Sequence, residues 1–384
     1  MDSTLLYALI AVYALATGLL ISYMQIKRIK QGRKSNIQFL LIVLSLPLLL
    51  ILVTNDSCTD FYSYVKIYDR SSFSTLGTFD EEFGWVILNS LLKTITDDGI
   101  IGVNILRGIT FCVFLKGLIN ARDYIDIGWA WIAFVCICYF NIFSMVAFML
   151  AVAFVFLASV NYVKREFIWG SIEILIAISF HYTAIIPAFI PAAYYICFKS
   201  AYTRKVFISI MLIGMLIVTL MSSEIFTLAT TLVPFLSRYA VYGLSTQEGT
   251  GLRQFVNYLP VLLCLPFIKL GAGNRLMKLS FVTTLFGITV GFASYSINNL
   301  LRTYLYFSLI FVYFFPALIL MKESHGGSIY SSAISVPRSE KVPLTSRTFK
   351  MLVLFYLLYR MYYLLSSEWE TAISSGFSDF HFLF

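Results

Sequence analysis

Apolar runs of about 16 to 20 residues, separated by short polar stretches, recur along this chain, and each is long enough to cross a bilayer as a helix. No other feature limits its fold so strongly. In hydrocarbon no water satisfies the backbone, so each run has to close its own hydrogen bonds as a helix. Composition points the same way. Hydrophobic residues make up 59% of the chain and charged residues 12%, roughly half the charged fraction of a soluble domain. The expectation is an all-α, polytopic integral membrane bundle, one membrane-embedded domain over residues 1–384.

The runs predict about twelve transmembrane helices, at 4–24, 38–54, 99–119, 127–141, 143–162, 167–181, 183–198, 206–222, 255–268, 279–297, 303–321 and 350–365. The pairs meeting near Asn141 and His181 can also be read as long or re-entrant helices. No basic stretch precedes the first run, and "QIKRIKQGRKS" follows it, so it reads as an uncleaved helix with its N-terminus outside. Lys and Arg crowd alternate loops, at 27–34, 122, 164–165, 199–205, 269–278 and 322–350, which assigns those loops to the inside. The opposite side receives only Lys66, Arg70, Lys93, Arg238, Arg253 and Arg302. This asymmetry accounts for the net charge of +8, so membrane lipids are expected as partners and nucleic acid is not. The six cysteines follow no disulfide or zinc spacing, and neither a metal nor a cofactor is expected.

Two sizeable outside loops are expected, 55–98 and 223–254, with a Ser-rich flexible inside loop at 322–349. Within the first, "EEFGWVILNSLLKTI" carries apolar residues at Phe83, Val86, Ile87, Leu91 and Ile95, a helical stripe suited to lying on the membrane. An ionisable residue inside the membrane is a functional candidate. Arg107 sits about eight residues into its run, roughly 12 Å deep at 1.5 Å per residue. Arg360 in the last run raises the same question. His181 lies in a turn between two runs on the outside face, where Arg238, Arg253, Arg302, Asp60 and Glu82 also map. Outside arginines go against the usual charge bias, and their rigid fork suits a phosphate. These residue types suit a transferase that uses a lipid pyrophosphate. Arginines hold the pyrophosphate and stabilise the leaving charge, while a histidine or carboxylate takes the proton of an attacking sugar hydroxyl. Tyrosines such as Tyr64 and Tyr239 either belong to the interfacial aromatic belt or stack on sugar faces.

The order of these features resembles the EpsG/Wzy-type polysaccharide polymerases of bacterial cell envelopes over residues 40–320. "TDFYSYVKIY" is similar to the family's Asp-x-x-x-Tyr stretch, placing Asp60, Tyr64 and Tyr68. "EEFGWVILNSLL" is similar to its Glu-Gly-aromatic segment, placing Glu82 and Gly84, and "ISFHYTAIIP" to its Phe-His-x-(Ser/Thr)-Ala stretch, placing His181 and Thr183. "SRYAVYG" and "NNLLRTYLYF" resemble the later arginine-tyrosine patterns, placing Arg238, Tyr239, Tyr242 and Arg302. Where the family carries an arginine before an Ala-rich helix, this chain has Asn141 and Ser144, so Arg107 or Arg253 is expected in that role.

The resemblance implies transfer of a growing O-antigen- or capsule-type glycan from undecaprenyl pyrophosphate onto a lipid-linked repeat unit, at the periplasmic face of the inner membrane. It assigns His181 or Asp60 as base, Glu82 to acceptor positioning, and Arg107, Arg238, Arg253 and Arg302 to the pyrophosphate, with Tyr64 and Tyr239 beside the substrate. A chain-length regulator is implied as a possible partner. A lipid-linked oligosaccharide flippase and an O-antigen ligase are the alternative readings. A flippase would spread charges through the bilayer, whereas a ligase would share the donor site.

Overall fold

The computed structural model describes residues 3–31, 37–56, 60–76, 81–232, 252–264, 275–293, 300–324 and 346–375. All regular elements among them are helical. They form two compact units, Met1–Tyr182 with Phe311–Val336 and Val342–Phe384, and Thr183–Ile310 with Pro337–Lys341.

The first unit begins with α1 (Ser3–Lys30), α2 (Ile37–Val53), α3 (Phe61–Arg70) and α4 (Phe83–Leu92). It continues through α5 (Gly99–Ala121), α6 (Ile127–Phe134), a π-helical turn (Val135–Tyr139), α7 (Phe140–Ser144), α8 (Val146–Lys164) and α9 (Phe167–Phe180). Capping side chains set several of these starts. The Asp98 carboxylate accepts from the Ile100 and Ile101 N–H groups at 2.8 and 3.2 Å, satisfying donors that α5 would otherwise leave open. Asp126 does the same for α6 through Trp129 N at 3.2 Å. Met145, at φ −113° and ψ 59°, separates α7 from α8, and Arg165 turns the end of α8 with φ 68°. The expected break near Asn141 therefore falls at Met145.

Small residues let the helices approach closely. A Cβ on Gly18 of α1 would lie 2.7 Å from the Gly128 carbonyl oxygen of α6. The same pair is tied by Trp131 Nε1 donating to Thr17 Oγ1 at 3.0 Å. Helix α5 packs on α2, α3 and α8, and α8 packs on α9. At the other end of the chain, α16 (Ile310–Ser324) and α17 (Ser346–Ser375) complete this unit.

The second unit holds a 3-10 turn (Tyr182–Ala184) leading into α10 (Ile185–Ala188), then α11 (Ile190–Cys197), α12 (Ala201–Leu232), α13 (Leu252–Cys264), α14 (Arg275–Ala293) and α15 (Leu300–Ser308). Helix α14 is its hub, packed by α11, α12, α13 and α15. Tyr258 and Phe307 both lie against Gly287 of α14.

Five stretches among the described residues are long and apolar enough to cross a membrane: Leu5–Lys30, Gly99–Ala121, Ile127–Ser144, Val146–Lys164 and Thr303–Met321. Ile37–Val53, Phe83–Leu92, Phe167–Phe180 and Tyr182–Cys197 are shorter apolar helices. Helix α12 persists through Leu232, into the stretch expected to be loop from 223, with a non-helical residue at Met221.

Helix α4 leaves most of the stripe read from the sequence on its open face and buries Val86. Phe83, Leu91 and Ile95 face outward at 54, 51 and 75% exposure, while Gly84, Trp85, Val86, Asn89 and Ser90 are buried. The reason lies in the solvent. Lipid tails are as apolar as leucine, so Phe83 and Leu91 can stay on the open face, whereas Asn89 gains a partner inside, donating to Ser71 Oγ at 3.2 Å.

Candidate functional site

The most committed polar residue of the first unit is Arg107, which is fully buried (0% exposed) on α5. Its guanidinium donates to the backbone carbonyls of Asn55 and Phe143, and to Asn104 Oδ1 at 3.0 Å. It also lies 4.4 Å from the Phe61 ring centroid and 5.6 Å from that of Phe143. One side chain thus joins the segment after α2, the start of α3, α5 and the end of α7. A cation at the C-terminal carbonyls of α7 also meets the negative end of that helix's dipole. The family's arginine is expected just beside this point, where the chain itself offers Asn141 and Ser144. Both are buried, and Asn141 Nδ2 donates back to Ile137 O at 2.8 Å, within the π-helical turn.

Above Arg107, a hydrophobic cluster gathers Phe61 and Tyr68 of α3, Trp85 and Leu92 of α4, Val103 and Leu106 of α5, and Val146, Ala147 and Leu150 of α8, with Phe180 of α9 packed against it. This cluster positions three expected site residues. Asp60 immediately precedes α3 and is partly exposed. Glu82 is 6% exposed at the N-terminal boundary of α4, where the positive end of the helix dipole favours a carboxylate. His181 follows α9 in extended backbone (φ −156°, ψ 116°), with its N–H bonded to Ala177 O at 3.0 Å. Its ring stands edge-on to Phe148 of α8, centroids 5.0 Å apart and planes at 88°.

The helices carrying these residues touch directly. Tyr64 of α3 meets Trp85 of α4 edge-on at 5.7 Å. A Cβ on Gly84 would lie 2.8 Å from Ser179 Cβ of α9, so only glycine admits this approach between the Glu82 and His181 segments. Asp60, Tyr64, Glu82 and His181 therefore ride on mutually packed elements, at the end of the unit opposite the basic helix termini at Lys27–Lys30, Arg122 and Lys164.

Of the remaining expected residues, only some are described. Arg238 and Tyr239 lie outside the described residues. Arg253 and Arg302 are placed on α13 and α15 by their backbones, their side chains lying outside what is described. Within the second unit the Thr183 hydroxyl meets the Tyr306 hydroxyl at 3.3 Å, so the stretch after His181 is tied to the helix that carries Arg302. Arg360 of α17, 6% exposed, places its guanidinium 5.5 Å from the Phe311 ring.

Two buried polar groups escaped the reading of the sequence. Asp126, 0% exposed, accepts from Ser22 Oγ at 2.6 Å. Beside it Gln25 donates to the carbonyls of Arg122 and Ile125 at 3.1 and 3.0 Å and accepts from Ile127 N at 2.8 Å. Burial pushes the Asp126 carboxyl up to about 6, against the Ser22 and Trp129 hydrogen bonds, which pull it down. Glu173 on α9 is 8% exposed, and both its carboxylate oxygens accept from Asn161 Nδ2 at 2.8 Å. Each had a visible signal. Asp126 directly precedes an apolar run, as a helix cap does, and Glu173 is the one acidic residue inside "FIWGSIEILIAISF".

Long apolar helices with buried polar groups hydrogen-bonded between them mark this chain as a helical membrane protein. It belongs to the EpsG family, whose model matches residues 36–368. Neither a curated protein nor a solved structure matches the chain.

Proposed function

We propose that this chain is a polysaccharide polymerase, a glycosyltransferase that extends a lipid-linked glycan at the periplasmic face of the bacterial inner membrane, within a bundle of about twelve spans. The observation that carries this reading is the gathering of Asp60, Glu82 and His181 on packed elements at one end of the first unit, in a member of the EpsG family. The basic-loop bias assigns that end to the outside.

In this reading the acceptor sugar hydroxyl of a lipid-linked repeat unit attacks the anomeric carbon of the growing glycan. The bond from that carbon to undecaprenyl pyrophosphate breaks, and the pyrophosphate leaves with the bonding pair. The hydroxyl proton passes to the His181 imidazole or the Asp60 carboxylate, while Glu82 orients the acceptor. Arg238, Arg253 and Arg302 neutralise the leaving pyrophosphate, so the reaction runs without a metal. A single displacement inverts the anomeric centre. Tyr64 and Tyr239 stack on sugar rings. Arg107 either contacts the pyrophosphate or orders the floor beneath Asp60, and its bonds to Asn55 and Phe143 favour the second role. A chain-length regulator is the expected protein partner.

The test is made in a host lacking this gene, with surface polysaccharide resolved on a gel. Wild-type protein should restore a ladder of repeat units. His181→Ala and Asp60→Asn variants that insert in the membrane at wild-type level should leave single-repeat glycan. A ladder that never depends on the wild-type protein overturns the polymerase reading in favour of transport or ligation.

A further inference from the structure

A second polar feature lies at the opposite end of the first unit, away from Asp60 and His181. It is a cavity of about 510 Å³ between α1, α6, α16 and α17. Lys27 and Lys30 reach it from the last turn of α1, and Lys350 from the second turn of α17. One carboxylate faces these cations. Glu323 of α16 accepts from Lys350 Nζ at 2.7 Å, and both side chains keep part of their surface open, 21 and 27%. Three ammonium groups face one carboxylate among the lining residues, and behind the wall the Asp126 carboxylate, bonded to Ser22, also acts on Lys350, so one positive charge is left in excess.

The cavity is also two-sided in character. Beside Ser22 and Gln31, its other walls are apolar or aromatic, with Leu19, Ile26 and Trp129 lining it alongside Tyr23. Tyr23 is 61% exposed, and the Lys27 ammonium stands 5.9 Å from its ring centroid. Basic ends of this kind identify the cytoplasmic side, where the leaflet surface is rich in anionic lipid. Tyr and Trp are the residues that sit at headgroup level. A soluble anion would use the lysines and leave the apolar wall without a role. A phospholipid uses both, its phosphate on the ammonium groups and its upper acyl chain along Leu19 and Ile26.

We propose that this cavity is a binding site for the phosphate headgroup of an anionic glycerophospholipid of the cytoplasmic leaflet. The lipid bridges α1 and α17 where the Lys350–Glu323 pair links α17 to α16. Its phosphate meets Lys27 and Lys30, which are exposed. This site is independent of the polymerase reading and stands or falls without it.

The experiment uses the full-length chain purified in a neutral detergent. Native mass spectrometry counts retained lipid, and thermal unfolding is followed with added phosphatidylglycerol, phosphatidylcholine or glycerol phosphate. Phosphatidylglycerol should bind and raise the unfolding temperature, while the other two should not. The double variant Lys27→Ala/Lys30→Ala should fold normally and bind phosphatidylglycerol roughly 30-fold more weakly, since each basic residue near the surface contributes about the same increment. Raising salt should weaken wild-type binding far more than that of the variant. Equal binding of phosphatidylcholine, or wild-type affinity in the double variant, overturns the site. An equal shift with glycerol phosphate overturns the lipid assignment and makes the ligand a soluble phosphate ester.

Discussion

Replacing Arg107 by alanine tests whether this residue holds the fold or the substrate. The side chain is fully buried and donates to three acceptors, the carbonyls of Asn55 and Phe143 and Asn104 Oδ1. Alanine leaves all three buried acceptors without this donor, at about 1–3 kcal/mol each. It also removes a guanidinium 4.4 Å from the Phe61 ring centroid, a contact of about 1–2 kcal/mol when desolvated. Against this, burying a cation is itself costly, and its removal returns part of the loss. The balance is a destabilisation of about 5 kcal/mol, a large share of a native protein's total stability. Arg107→Lys keeps the charge and one or two of the bonds, so it should fall between wild type and alanine. The assay is unfolding of purified protein in detergent, with membrane-inserted yield measured alongside the polysaccharide ladder. Arg107→Ala should lower yield and unfolding temperature together with the ladder. An alanine variant that unfolds at the wild-type temperature yet makes no ladder refutes the structural argument and moves Arg107 onto the substrate.

Three further outcomes follow from packing and protonation. Gly84→Val forces a branched side chain into the Ser179 backbone and side chain, so it should part α4 from α9 and abolish the ladder; a wild-type ladder would show that the Glu82 and His181 segments do not need this approach. Tyr139→Phe deletes a buried hydrogen bond of 2.7 Å to Leu48 O and should cost about 1 kcal/mol in unfolding with activity retained. The Asp126 carboxyl titrates near 6 in the folded chain and near 3.9 unfolded. A raised folded value means its contribution to stability is complete below pH of about 4 and is lost as pH rises to about 6, a difference of roughly 3 kcal/mol. Asp126→Asn should flatten the stability profile across that window and be at least as stable as wild type at neutral pH, and identical profiles for the two proteins would rule the carboxyl out as the cause.

Segment length made much of the architecture legible. Only helices close their own backbone hydrogen bonds in hydrocarbon, so the apolar runs ending near residues 141, 162 and 181 had to become helices, and α7, α8 and α9 do end close by. A helix was expected over "EEFGWVILNSLLKTI" in the first long polar segment, and Phe83–Leu92 is present there, whereas the helix Phe61–Arg70 was not read from the sequence. The candidate site was legible only as residue types. Asp60, Glu82 and His181 stood out because each is a polar group beside an apolar run, and their joint placement needed the contacts of α3, α4, α8 and α9.

What the sequence by itself determined was the membrane-helical class, the positions of most helix breaks and the bias of basic residues to alternate loops, because each depends on residues near one another in the chain. The tertiary structure alone decided which face of a helix is buried and which polar groups meet. On α4 the apolar stripe is divided, Phe83 and Leu91 on the open face and Val86 buried beside Asn89 and Ser90, a choice periodicity does not make because lipid and protein interior are equally apolar. Arg107 with Asn55 and Phe143, and Ser22 with Asp126, are pairings between residues 36 to 104 positions apart. Each is selected by the cost of leaving a buried polar group unsatisfied in a low-dielectric medium, and that cost is set only once the helices have packed.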